Sequence, residues 1–131
     1  GRIRVSILGL AFRGGINDTR LSPTYDLINA LVKSGVEEIK VNDPYVKEDR
    51  FLTSLGFKLT TDLGEALRGA DVVIIATDHP EYRSLSLEAV KGETGRDRVG
   101  VVDGRHMIGD WRNPPEGVIY VGIGRPFIVN L

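Results

Sequence analysis

Residues Ile7 to Pro23 read I-L-G-L-A-F-R-G-G-I-N-D-T-R-L-S-P. An apolar strand runs into Gly9, a loop carrying Arg13 and Arg20 follows, and Ser22-Pro23 opens a helix. Ser is a preferred N-cap and Pro suits the first helical position. The loop is longer than the roughly 2–6 residues usual between a strand and a helix. It gathers guanidinium groups, flexible glycines at Gly14 and Gly15, and the positive end of a helix dipole at the carboxyl end of a strand. In an open α/β sheet that position receives anionic ligands, bound by free backbone N–H groups and cations. The plain alternative is a solvated connecting loop with surface arginines.

Working outward, helical and extended segments alternate. Ile3–Leu8 is the first strand, and Pro23–Ser34 is a helix whose Leu27, Ile28, Leu31 and Val32 form one apolar stripe closed by Gly35. Ile39–Val41 is the second strand, stopped by Asn42-Asp43-Pro44. A short helix within Val46–Leu55 ends at Gly56, and the strand Phe57–Thr60 follows. Leu63–Arg68 forms another short helix ended by Gly69. Val72–Ala76, the most apolar run of the chain, reads as a central parallel strand covered on both faces. A helix near Leu85–Val90, an exposed polar loop over Gly92–Arg98, and strands Val99–Val102 and Val118–Val121 complete the pattern, with Val118–Val121 the last strand. Such alternation predicts βαβ crossovers and a single three-layer α/β/α domain, a Rossmann-like open parallel sheet of five to six strands.

Composition sets limits. The 131 residues are 41% hydrophobic and 27% charged, with a formal net charge of -1. That balance argues against nucleic-acid or anionic-membrane binding through bulk charge, so any anion site is local. There is no cysteine and there are two histidines, His79 and His106. Thiolate chemistry and a histidine-rich metal site are therefore not expected in this chain. With no long apolar run and no signal-like N-terminus, the expectation is a soluble, cytoplasmic domain.

Further candidates follow other strands. Val101-Val102-Asp103-Gly104-Arg105 places an arginine beyond a strand end, so Arg13, Arg20 and Arg105 are expected to converge along one sheet edge. Asp43 occupies the place of a ribose-holding acid, although Pro44 equally marks a structural turn. Thr77-Asp78-His79-Pro80 follows the central strand. His79 offers a donor or an acid/base, with no evident partner, and Asp78 suits a turn cap.

With these residues in view, the chain resembles the C-terminal domain of the UDP-glucose/GDP-mannose dehydrogenase family. Gly9-Leu10-Ala11-Phe12-Arg13 is similar to the family's G-L-A-F-K, and Asn17-Asp18-Thr19-Arg20-Leu21-Ser22-Pro23 to its D-D-x-R-x-S-P. Asp43-Pro44, Ala70-Asp71 and Val102-Asp103-Gly104-Arg105 resemble further family motifs, in the expected order. The resemblance implies that Phe12, Arg13 and Arg105 contact a UDP-sugar, and that Arg20 reaches NAD bound mainly by a separate N-terminal domain. Arg13 stands where lysine is usual, so a planar fork replaces a point charge. Thr77-Asp78-His79 and Gly122-Ile123-Gly124-Arg125-Pro126 look closer to the N-acetylmannosamine-type members.

Enzymes of this family oxidise the sugar C6 alcohol twice with NAD, through a cysteine carried by an upstream segment. The resemblance therefore implies a UDP-sugar-binding domain over residues 1–131, excised from a longer homo-oligomeric enzyme and inert alone, with no catalytic residue of its own. A free-standing NAD-binding domain is the alternative. Against it, Gly9-Leu10-Ala11-Phe12-Arg13-Gly14 lacks the G-x-G-x-x-G spacing that lets backbone meet pyrophosphate. A signalling receiver domain would need acidic residues directly after the first strand, where Gly9-Leu10 stand.

Overall fold

The computed structural model describes residues 2–131; Gly1 lies outside the described residues. Twelve short elements alternate along the chain. β1 (Arg4–Leu8), α1 (Pro23–Lys33), β2 (Glu38–Asn42), α2 (Arg50–Leu55), β3 (Lys58–Thr60), α3 (Leu63–Leu67) and β4 (Val72–Ile75) come first. A 3-10 turn (Pro80–Ser84), α4 (Leu87–Thr94), β5 (Val99–Asp103), β6 (Val118–Gly122) and β7 (Ile128–Asn130) follow. The four helices begin where a short polar side chain satisfies an orphan amide: Ser22, Asp49, Asp62 and Ser86 each accept a backbone N–H of the first turn. Gly56 and Gly95 close α2 and α4 in the left-handed conformation.

The strands form one sheet in the order β3-β2-β1-β4-β5-β6-β7. All neighbours pair parallel except β6 and β7, which are antiparallel. The sheet thus has seven strands against the five to six expected, and Val118–Val121 is followed by one strand more. Beyond Val121 the sequence Gly122-Ile123-Gly124-Arg125-Pro126 is rich in turn residues, and Ile128–Asn130 is too short to announce a strand. The edge pairing itself makes it one. The polar Gly92–Arg98 stretch begins inside α4, whose solvent side needs no apolar residues.

Side-chain alternation along the strands sorts the core into two layers. Val73, Ile75, Val99, Val101, Val118 and Tyr120 face α3, α4 and the segment carrying Met107, Ile108 and Trp111. Val5, Ile7, Ile39 and Val41 face α1 and α2 on the opposite side. This second layer reaches only as far as β4. Val72 and Ile74 are half-buried there, while Val102, Ile119 and Val121 farther along that face join neither core. The expectation of a central strand covered on both faces holds for one face of β4 and only partly for the other.

Chain order reverses at β1, whose neighbours are β2 on one side and β4 on the other. The loops after β1 and β4 therefore leave the sheet side by side, which opens a crevice at their carboxyl ends. They are pressed close. Gly9 has φ +112°, and a Cβ there would overlap the Thr77 hydroxyl. Gly9→Ala should cost about 3 kcal/mol, from strained φ plus overlap. Gly95→Ala, at φ +70° but facing open space, should cost about 1 kcal/mol. Urea unfolding of both variants measures the difference, and equal costs would refute the close-approach argument.

Candidate functional site

The loop between β1 and α1 is sealed by the protein's own side chains. Asp43 Oδ2 accepts the backbone N–H groups of Leu10 and Ala11, both at 2.9 Å. Asp78 Oδ1 accepts from Gly14 N–H at 2.6 Å, and His79 Nδ1 accepts from Gly15 N–H at 3.0 Å. Phe12 N–H donates to the Asp18 carbonyl, Arg20 N–H to the Asp18 carboxylate, and Thr24 N–H to Ser22 Oγ. The amides of Leu10, Ala11, Phe12, Gly14, Gly15 and Arg20, which would otherwise face an anion, are thus already occupied. A dinucleotide pyrophosphate would meet carboxylates where it needs N–H donors.

Asp43 is the centre of the seal. It is fully buried and also takes a hydrogen bond from His79 Nε2 at 2.8 Å and from Tyr45 N–H at 2.8 Å. Because His79 Nδ1 is an acceptor, the ring proton sits on Nε2 and is donated to Asp43. Burial pushes the Asp43 pKa up, but the bonds from His79, Ala11, Leu10 and Tyr45 outweigh it and hold the carboxyl below the usual range. Asp43 is the structural turn residue, with no face left for a ribose. His79 is also fully buried, and the Tyr45 and Tyr82 rings pack on it at 4.8 and 5.6 Å. Its nitrogens are spent on Gly15 and Asp43, so it works as a strut between the loop and the end of β2.

Around this seal the arginines lie on the surface. Arg105 Nη2 pairs with Asp78 Oδ2 at 3.1 Å, so one carboxylate ties the Gly14 turn to the Arg105 segment. Burial opposes ionisation of Asp78, yet the Gly14 N–H and Arg105 keep it below the ordinary carboxylate value. Arg20 grips Asp18 through Nε at 3.0 Å and Nη2 at 2.8 Å. Those hydrogen bonds lower the Asp18 pKa to about 2, with a smaller contribution from the field of Arg13. Arg13 itself is exposed and has no carboxylate partner within ion-pair distance among the described residues. Phe12, 47% exposed, shares a shallow depression with Asp18, Arg20 and Leu21.

Contacts link the loops that carry these arginines. Arg20 meets Asp18, Arg13 lies within the field of Asp18, and Gly14 beside Arg13 meets Asp78, which meets Arg105. Sequence reading missed the bridging role of Asp78. The signal was its place directly after a central strand, opposite glycines, but only the fold brings those loops together.

The Arg105 segment is sealed in the same way as the first loop. Asp103, fully buried at the end of β5, accepts the N–H groups of Met107 and Ile108, both at 2.9 Å, and the Tyr120 hydroxyl at 2.8 Å. Gly104 N–H donates to the Ile75 carbonyl. Arg105 and His106 form the apex of this closed turn, and His106 adopts φ +55°. Among the described residues no cluster of three or more His, Asp and Glu side chains is arranged to hold a metal, and no helix is long and apolar enough to cross a membrane.

A seven-stranded, mostly parallel α/β sheet whose chain order reverses at β1, with exposed arginines on the loops at its carboxyl edge, defines the class as an open α/β domain. The description of the UDP-glucose/GDP-mannose dehydrogenase family, UDP binding domain, fits residues 6–110, and the chain belongs to that family. It is 36% identical over 121 residues to the UDP-N-acetyl-D-mannosamine dehydrogenase of Pyrococcus horikoshii, covering 92% of this chain and 25% of the relative. It is 33% identical over 125 residues to the UDP-glucose 6-dehydrogenase TuaD of Bacillus subtilis, covering 95% and 26%. Among solved structures, the NDP-N-acetyl-D-galactosaminuronic acid dehydrogenase of Methanosarcina mazei superposes with a TM-score of 0.79 at 28% identity, over 95% of this chain and 25% of that one. The Pyrococcus horikoshii UDP-D-ManNAc dehydrogenase gives 0.72 at 34% identity, over 95% and 26%. The chain spans about a quarter of the length of these relatives.

The seal has a pH signature. Asp43 and Asp78 ionise more readily folded than unfolded, so their stabilisation is present above the unfolded value of about 4 and is lost as pH falls through the lower folded values. Asp43→Asn should cost about 2–4 kcal/mol at neutral pH, from broken charged hydrogen bonds in a buried site. The gap to wild type should narrow below about pH 4. Melting temperatures of both proteins across pH 2.5–8, a range set by those carboxylates, test this. A gap that stays constant into acid would contradict it.

Proposed function

We propose that this chain is the sugar-nucleotide-binding domain of an NAD-dependent nucleotide-sugar 6-dehydrogenase, a cytoplasmic homo-oligomeric enzyme that oxidises UDP-glucose, UDP-N-acetylmannosamine or GDP-mannose at C6 to the uronate, a step of polysaccharide biosynthesis. The observation that carries the proposal is the Asp78 bridge. It ties the segment carrying Arg105 to Gly14, the residue after Arg13, at the chain-reversal crevice, and the Gly14 and Gly15 amides are already spent within the protein. A diphosphate arriving there meets guanidinium forks, which match its oxygens in pairs.

In this reading Arg105 exchanges Asp78 for the nucleotide diphosphate, Arg13 adds the charge it has not spent on a partner, and Phe12 offers an exposed ring to the sugar nucleotide. Arg20, held upright by Asp18, reaches toward NAD bound by the N-terminal domain of the same enzyme. NAD, held by that domain, would supply the hydride acceptor, and of this chain's residues only Arg20 is offered toward it. The sealed loop has no amide cradle for its pyrophosphate. The nucleophilic cysteine belongs to another part of the enzyme, so this chain binds and orients.

The alternative, a free-standing NAD-binding domain, has one of its two main requirements unmet by the occupied amides and the other by the burial of Asp43. UDP should raise the melting temperature of the 131-residue chain by mass action on the folded state, and NAD alone should leave it unchanged. Arg105→Ala should weaken UDP binding on the order of tenfold or more, the worth of a lost charged hydrogen bond, with little change in unliganded stability. Stabilisation by NAD without UDP would favour the alternative, and undiminished UDP affinity in the variant would remove Arg105 from the site.

A further inference from the structure

The β6–β7 turn touches the turn that carries Arg105 through two contacts. On one side His106 Nε2 bonds the Ile123 carbonyl. On the other, Arg125 Nη1 donates to the Tyr120 hydroxyl at 2.8 Å and lies 3.8 Å from Asp103 Oδ2. Tyr120 in turn donates to that same Asp103 oxygen, which also holds Ile108 N–H, while the partner oxygen holds Met107 N–H. The guanidinium is fixed from another direction as well. Its central carbon stands 4.5 Å from the Trp111 ring, which Arg112 approaches at 4.2 Å and Tyr120 stacks against at 5.7 Å.

Arg125 is only 21% exposed, and its identified partners are a hydroxyl, a carboxylate and an aromatic face, all within the protein. It supplies the cation nearest to a fully buried carboxylate whose work is to close the turn that carries Arg105. Without Arg125, Asp103 keeps its three donors but loses the one nearby cation and the bond that fixes Tyr120, which loosens its two backbone bonds. The apex is already under strain at His106, with φ +55°, and is held there by the contact with Ile123. Two contacts from one turn thus brace a strained apex.

We infer that Arg125 is a positioning residue for Arg105: acting through Tyr120 and Asp103, it holds the turn that presents Arg105 to the diphosphate of a nucleotide. The inference rests on the proposed function for its ligand. Its mechanical part concerns this chain alone.

The test pairs two measurements on the 131-residue chain. The first is hydrogen exchange in the absence of ligand. In Arg125→Ala the amides of Met107 and Ile108 should exchange about tenfold faster than in wild type, while amides of β1 and β4 keep their protection. Unchanged exchange at Met107 and Ile108 overturns the inference whether or not UDP binds, and loss of protection throughout the sheet overturns it in favour of a general structural role.

The second is UDP titration of wild type, Arg125→Ala, Arg125→Lys, Arg105→Ala and the double Ala variant. Arg125→Ala should lose about tenfold in affinity, Arg125→Lys should recover part of it by restoring the donor to Tyr120, and the double variant should bind no worse than Arg105→Ala. A double variant weaker by the full product of the single effects would make Arg125 an independent ligand contact and overturn the positioning role. Failure of wild type to bind UDP would instead strike the proposed function, with the exchange measurement still deciding the mechanical claim.

Discussion

The fold at the ligand edge depends on one buried carboxylate. Asp43, at the end of β2, reaches across to take two amides from the loop after β1 and one ring N–H from the loop after β4. A charge in that position is tolerable only because four donors surround it. Removing any one leaves an expensive deficit, so the three strand ends are locked as a unit. Gly9 is required for the same reason. The loop can come within reach of Asp43 only if nothing larger than hydrogen faces Thr77.

The seal decides what kind of ligand edge this can be. In a dinucleotide fold the backbone amides of the first turn stay open and the anion completes them. Here the protein completes them with its own anions, Asp43 and Asp78, and with a histidine nitrogen. On the proposed function, the exposed arginines are what a ligand meets, since their forks match phosphate oxygens from side chains. The repetition at Asp103 points to a general device. A buried carboxylate at a strand end accepts the amides of a loop at the same sheet edge, the loop after β1 for Asp43 and the turn after its own strand for Asp103.

Much of this was legible in the sequence. The order of strands and helices, the caps at Ser22 and the glycine stops, and the exposed loops with Arg13, Arg20 and Arg105 follow from periodicity and local turn chemistry. The motifs shared with the UDP-glucose/GDP-mannose dehydrogenase family lie in those same loops. Less legible was β7, because a three-residue edge strand derives its structure from its partner and has little propensity of its own. The half-covered face of β4–β6 was also hidden, since a half-buried strand and a fully buried one can carry the same apolar residues.

The sequence by itself determined the αβ alternation, the placing of cations after strand ends and the absence of a pyrophosphate glycine pattern, because these rest on neighbours within a few residues. Only the tertiary structure decided that the expected free amides are occupied, that Asp43 and His79 are struts, and that Asp78 joins two loops 64 residues apart on its way to Arg105. The physical reason is that hydrogen-bond satisfaction of a buried group depends on what the fold brings beside it. A residue's type states what it can donate or accept, and its neighbours in space decide what is left for a ligand.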